Sequence, residues 1–74
     1  MMSPQDLVRI REQMGWTQTE AAVKAGVERN TWARWERGEV QPHPLRESSL
    51  QRLLRQAEKR AEKRQARAAA AHVQ

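Results

Sequence analysis

Apolar residues recur along this chain at the three- and four-residue spacing of helices, and no sustained two-residue alternation marks a strand. Leu7, Ile10 and Met14 share one side of a segment that Ser3, Pro4 and Asp6 open and Gly15 closes, so the spacing predicts a helix over Pro4–Met14. Thr17 with Glu20 forms a second capping pair, opening a short alanine-rich helix of about eight residues that Gly26 ends. A third helix is expected to start at Glu28 or Arg29 and to stop before Gly38. Pro42 and Pro44 bracket His43, which predicts an extended connection over residues 39–44 with His43 as a spacer. From Leu45 the helical pattern returns, with Ser48 and Gln51 as a candidate cap pair and Leu50, Leu53, Leu54, Ala57 and Ala61 as its apolar stripe. That last helix is expected to run to about residue 66 and to fray through His72 and beyond, because residues 68–74 offer nothing to bury.

The pattern therefore predicts an all-α domain of four or five helices. Its expected core is Leu7, Ile10, Met14, Trp16, Ala22, Val27, Trp32, Trp35, Leu50, Leu53 and Leu54. Residues 1–56 would form the compact part and residues 57–74 a basic Ala/Lys/Arg/Glu-rich extension. With 74 residues the chain buries only about 60% of its unfolded surface, which leaves little room for a deep catalytic cleft. No enzymatic activity is expected. Cysteine is absent, so neither disulfides nor thiolate metal sites can stiffen the fold, in keeping with a reducing cytosol. No His, Asp or Glu cluster has the spacing of a metal site or an acid–base pair, and no cofactor is called for. The start, MMSPQDLVRIR, lacks the hydrophobic centre of a signal peptide, and no apolar run exceeds the alanines at 68–71; a cytoplasmic protein without a membrane span is expected.

Charge changes the picture more than composition does. The chain carries 14 Lys and Arg against 9 Asp and Glu, a net +5. Residues 1–49 hold seven of each sign, whereas residues 50–74 hold seven basic and two acidic side chains. All of the excess sits in the last third, where a polyanion partner or a merely solvated helix face would both account for it. The AEKR repeat in this part stacks like charges four residues apart, so intrinsic helix propensity rather than side-chain pairing supports it.

The stretch ERNTWARWERGE, residues 28–39, spends two of the three aromatic residues in a charged segment. On a wheel at ~100° per residue, Trp32, Trp35, Thr31 and Glu28 share one arc, with Glu36 at its border. Arg29, Asn30, Ala33, Arg34 and Arg37 take the opposite arc, with the small Ala33 at its centre. Tryptophans turned inward would leave a face suited to the DNA major groove: Arg for guanine O6 and N7, Asn for adenine N6 and N7, and a small residue for close approach. In a competing view the indoles themselves stack on unpaired bases, but they fall on the arc away from the arginines, and a chain without Phe or Tyr needs Trp for bulk.

The run LVRIREQMGWTQTEAAVKAGVERNTWARWERGE, continuing to Pro42, resembles the helix-turn-helix of the lambda-repressor-like, or XRE, class of bacterial and phage transcription regulators. The resemblance covers about residues 5–55 and rests on Gly-Trp-Thr-Gln opening the second helix, Ala22 and Gly26 around the turn, and Trp-Glu-Arg-Gly closing the third. It implies that Gln18 touches DNA backbone and orients the recognition helix, that Arg29, Asn30 and Arg34 face bases, and that Arg11 and Glu36 form a buried ion pair. Arg37, at the far end of that helix, is better placed for phosphate. The bland alternatives are solvated arginines, an Asn30 that only stabilises its helix start, and an ordinary first-turn Gln18. Glu28 stands where such proteins often carry Ser or Thr, and its carboxylate is expected to cap the helix instead. Glu39 stands where a base is common, and Ala21 where larger residues are frequent.

A regulator of double-stranded DNA, a repressor with two copies on a palindromic operator, follows from the resemblance. A protein partner, such as a toxin masked by an antitoxin-like module or another regulator, is the alternative. The basic tail is left with phosphate contact, a dimer contact, solubility and RNA binding as open roles.

Overall fold

The computed structural model describes residues 2–72, with side chains through residue 68. Four helices follow one another: α1, Pro4–Met14; α2, Gln18–Ala25; α3, Arg29–Arg37; and α4, Pro44–His72. No strand occurs among the described residues.

Local chemistry sets the first two helix starts. Ser3 Oγ accepts the Asp6 N–H at 3.1 Å while the Asp6 carboxylate accepts the Ser3 N–H, also at 3.1 Å. Thr17 and Glu20 repeat this exchange at 3.1 and 2.9 Å. The first three helices each end at a glycine in the left-handed region, and the N–H after Gly26 bonds back to Ala22 O at 2.9 Å. A side chain at Gly26, with φ at +74°, would be strained, and this residue sets the turn between α2 and α3.

The core lies where α1, α2, α3 and the first half of α4 meet, around Leu7, Ile10, Trp32, Trp35 and Leu50. Ala21 and Ala22 are both buried, which keeps α2 thin enough to lie close to α3. Met14, Trp16, Val27, Leu53 and Leu54 pack against this core at its margin and are only partly buried. Met2, Ala21 and Ala57 join the buried set beyond the residues expected there.

α1 and α4 run parallel. Met2 and Pro44 border one small cavity, Arg9 Nη1 is 3.9 Å from Glu58 Oε1, and Arg64 Nη2 donates to Gln13 O at 2.9 Å, an ascending order on both helices. Two arginines of α4 thereby close the C-terminal ends of earlier helices, since Arg46 Nη1 also donates to Ala25 O at 3.1 Å.

α4 departs from expectation at both ends. It begins at Pro44, whose missing N–H costs nothing in a first turn, and not at a Ser48 cap; Ser48 and Gln51 lie inside the helix. His43 is more than a spacer, because its Nδ1 accepts the Leu45 N–H at 3.1 Å. The helix continues past residue 66 to His72, in keeping with the high propensity of alanine and the nucleation already supplied by the packed turns upstream. Residues 73 and 74 lie outside the described residues. No break separates residues 56 and 57, and Ala57 is 0% exposed. At a rise of ~1.5 Å per residue, 29 residues span about 43 Å, so α4 by itself accounts for the 46 Å long axis of the molecule.

Candidate nucleic-acid interface

The inner face of α3 is built around two indoles. Trp32 is 0% exposed and Trp35 is buried beside it, ring centroids 5.8 Å apart and planes tilted by 55°. One turn after Trp32 comes Glu36, and the indole Nε1–H donates to its carboxylate. The same carboxylate accepts from Arg11 Nε at 2.7 Å, from Arg11 Nη2 at 3.3 Å and from Gln18 Nε2 at 3.2 Å. Three helices thus meet on one acid: α1 through Arg11, α2 through Gln18, α3 through Glu36 itself.

The Glu36 side chain is 7% exposed and that of Arg11 27%. Burial pushes the Glu36 carboxyl upward, but hydrogen bonds from Arg11, Trp32 and Gln18, with the Arg11 charge, more than offset it and hold the group below the ordinary carboxylate range. Arg11 is correspondingly held above its ordinary value, chiefly by its hydrogen bond to Glu36. Charge-assisted bonds of this kind are the stronger class, and here they fix the angle at which α3 leaves the domain.

The outer face presents Arg29, Asn30, Arg34 and Arg37, all exposed. Asn30, Arg34 and Arg37 recur at four and three residues and therefore form one stripe along α3, with Arg29 at its first turn. Ala33 does not belong to this face: it is 7% exposed and counts as buried. A wheel assigns angles only. It carries no information on which positions the neighbouring helices cover, and a lone methyl group is covered more readily than the long arginines beside it.

The structure bears on two further sequence expectations, those for Gln18 and Glu28. Gln18 heads α2, half-buried, with its amide turned to Glu36, so in the free protein it orients α3 by a direct bond. Glu28 is the N-cap of α3, in extended backbone, yet its side chain makes no capping bond. Glutamate ranks below Asp, Asn and Ser for this task, its longer side chain fitting the local geometry less well.

At the other end of α3, Gly38 takes φ +77° and turns the chain back, so that the Glu39 N–H reaches Arg34 O at 3.0 Å. This places the Glu39 carboxylate beside the last turn. Arg37 Nε donates to it, and Arg34 Nε lies 3.8 Å away. The hydrogen bond from Arg37 is the main reason that the Glu39 carboxyl is held below the ordinary range. The family resemblance marks Glu39 only as an acid where a base is common. The signal that finds the pairing is the glycine before it, because a left-handed C-cap returns the following residue onto the helix end.

The guanidiniums and the amide on the outer face of α3 are groups that bind anions and base edges. Among the described residues no group of three or more His, Cys, Asp or Glu is placed to hold a metal ion, and no helix is long and apolar enough to cross a membrane.

A short α2 joined by a glycine turn to a second helix that is locked from behind and polar in front defines a helix-turn-helix, a DNA-binding unit. The helix-turn-helix domain family model matches residues 6–55, and the chain belongs to that family. The matched range takes in α1, α2, α3 and the packed first half of α4. No curated protein and no solved structure matches the chain.

Proposed function

We propose that this protein is a sequence-specific regulator of double-stranded DNA, of the lambda-repressor-like class, that reads the major groove with α3 and acts as a repressor. The observation that carries this reading is the stripe of Asn30, Arg34 and Arg37, flanked by Arg29, on a helix whose opposite side is sealed by Trp32 and Trp35. Asn30 suits adenine, and Arg29 and Arg34 suit guanine, by paired hydrogen bonds to the major-groove edge. Arg37 suits phosphate. The N–H groups of the first turn of α2 suit a second phosphate, with Gln18 keeping α2 and α3 in register through Glu36.

Two copies would sit on a palindrome with their recognition helices about 34–36 Å apart, one turn of duplex. Selection of bound duplexes from a random pool tests the assignment. An enriched inverted repeat, whose binding is weakened by about 1–3 kcal/mol when Arg34 or Asn30 becomes alanine, is the expected result. Selection that enriches no duplex, or an operator affinity indifferent to alanine at positions 29, 30 and 34 together, overturns it.

A further inference from the structure

Two guanidiniums of the reading helix already have an anion. Arg37 donates to Glu39, Arg34 lies 3.8 Å from it, and all three side chains remain about half exposed. A carboxylate beside a helix C-terminus faces the negative end of the helix dipole, so Glu39 is unfavourable there as far as α3 alone is concerned. Among the described residues, its carboxylate meets these two arginines and no other charged group. They and the acid form a closed unit at the surface, held in place by the Gly38 turn.

We infer that Glu39 is an internal anion gate on the reading helix: it occupies Arg34 and Arg37 in the free protein and yields them only to a duplex that offers base edge and phosphate together. The inference rests on the DNA-binding role given to α3 above. A phosphate on its own exchanges one oxygen anion for another and gains little. A guanine edge for Arg34 together with a phosphate for Arg37 replaces both bonds that the carboxylate made. On a random duplex the gate stays shut and Arg37 contributes nothing to phosphate binding; on the preferred duplex it opens. Glu39 therefore lowers affinity for both kinds of duplex: on random DNA by withholding Arg37 from phosphate, and on the preferred duplex by the free energy of displacing the carboxylate from both arginines.

The experiment measures binding of wild-type protein, Glu39→Gln, Arg34→Ala/Arg37→Ala and the triple variant to a random-sequence duplex and to the duplex enriched from the pool, each across a salt series. Glu39→Gln is expected to bind the random duplex roughly threefold to fivefold more tightly, the range an exposed ion pair commands. Its dependence of log affinity on log salt should steepen by about 0.9, one additional phosphate neutralised. The gain on the enriched duplex is at least as large, because there both arginines have to be released from the carboxylate before they reach base edge and phosphate. In the arginine-free background Glu39→Gln changes nothing. A gain that persists in that background makes Glu39 a diffuse repulsive charge and overturns the gate, as does an unchanged or weaker affinity of Glu39→Gln for the random duplex. If the wild-type chain binds no duplex at any salt, the DNA reading itself falls and the gate with it. Binding by wild type without the Glu39→Gln gain removes the gate alone.

Discussion

Glu36 and Glu39 stand three residues apart at the end of one helix, and each is bonded to arginine, yet the two sites do opposite work. Glu36 is nearly sealed from water and joins donors from three helices. Glu39 lies in solvent and joins two arginines of its own helix end. An acid buried among fixed donors is tied to the fold, because removing it strands groups that water cannot reach. An acid at the surface is tied to nothing beyond its partners, since water and salt replace it at little cost. The same residue type is structural inside the helix and exchangeable just past its end.

The comparison breaks first at Glu36→Ala. That change leaves Arg11, the Trp32 N–H and the Gln18 amide without their acceptor, and chemical denaturation should register a loss of about 3 kcal/mol, the lower end for a broken buried pair because Arg11 is partly exposed. A loss under ~1 kcal/mol would make the Glu36 site no different from an exposed one.

Acid supplies a second test at the same residue. Glu36 is held below its ordinary pKa in the folded state, so its contribution is fully present above the unfolded value, near 4.3. It is lost as pH falls through the folded value. Stability measured from pH 6 down to about 2 should decline over that window, and Glu36→Gln should flatten the decline. Glu39→Gln should leave this acid limb in place, since a half-exposed surface group is screened by solvent and salt.

Gln18→Ala removes one half-buried donor to a carboxylate, and a loss of roughly 1 kcal/mol in thermal or denaturant unfolding is expected. Loss of operator affinity beyond that caused by unfolding would show that the α2–α3 register set by Gln18 matters to DNA. The smallest effect belongs to Glu39→Gln, whose denaturation midpoint should be indistinguishable from that of wild type. A lowered midpoint would move Glu39 into the structural class with Glu36.

Much of the architecture was legible along the chain because its cues are local. Ser3 with Asp6, Thr17 with Glu20, and the glycines at 15, 26 and 38 act within four or five residues, and they delimit α1, α2 and α3 as the pattern predicts. Periodicity also turned Trp32 and Trp35 inward. The start of α4 was less legible, since a proline-rich connection reads as a break, whereas Pro44 can itself be a first helical residue and His43 accepts the next N–H.

The candidate interface was legible in its residue types and less so in its arrangement. Arg29, Asn30, Arg34 and Arg37 lie exposed on α3, but Ala33 is covered, Gln18 is engaged by Glu36, and Glu28 does not cap. Each of these depends on a neighbour that sequence spacing does not place. Ala33 is decided by the packing around α3, Gln18 by the meeting of three helices, and Glu39 by the return of the chain after Gly38.

What the amino-acid order determined by itself is where helices start, where they stop and which side of each is apolar, because those follow from bonds and torsions a few residues wide. What only the tertiary structure decided is which polar groups face one another: that Glu36 gathers donors from α1 and α2, and that Glu39 occupies two arginines of α3. Hydrogen bonds and ion pairs act over about 3 to 4 Å, so their partners are set only when distant segments are brought to that range.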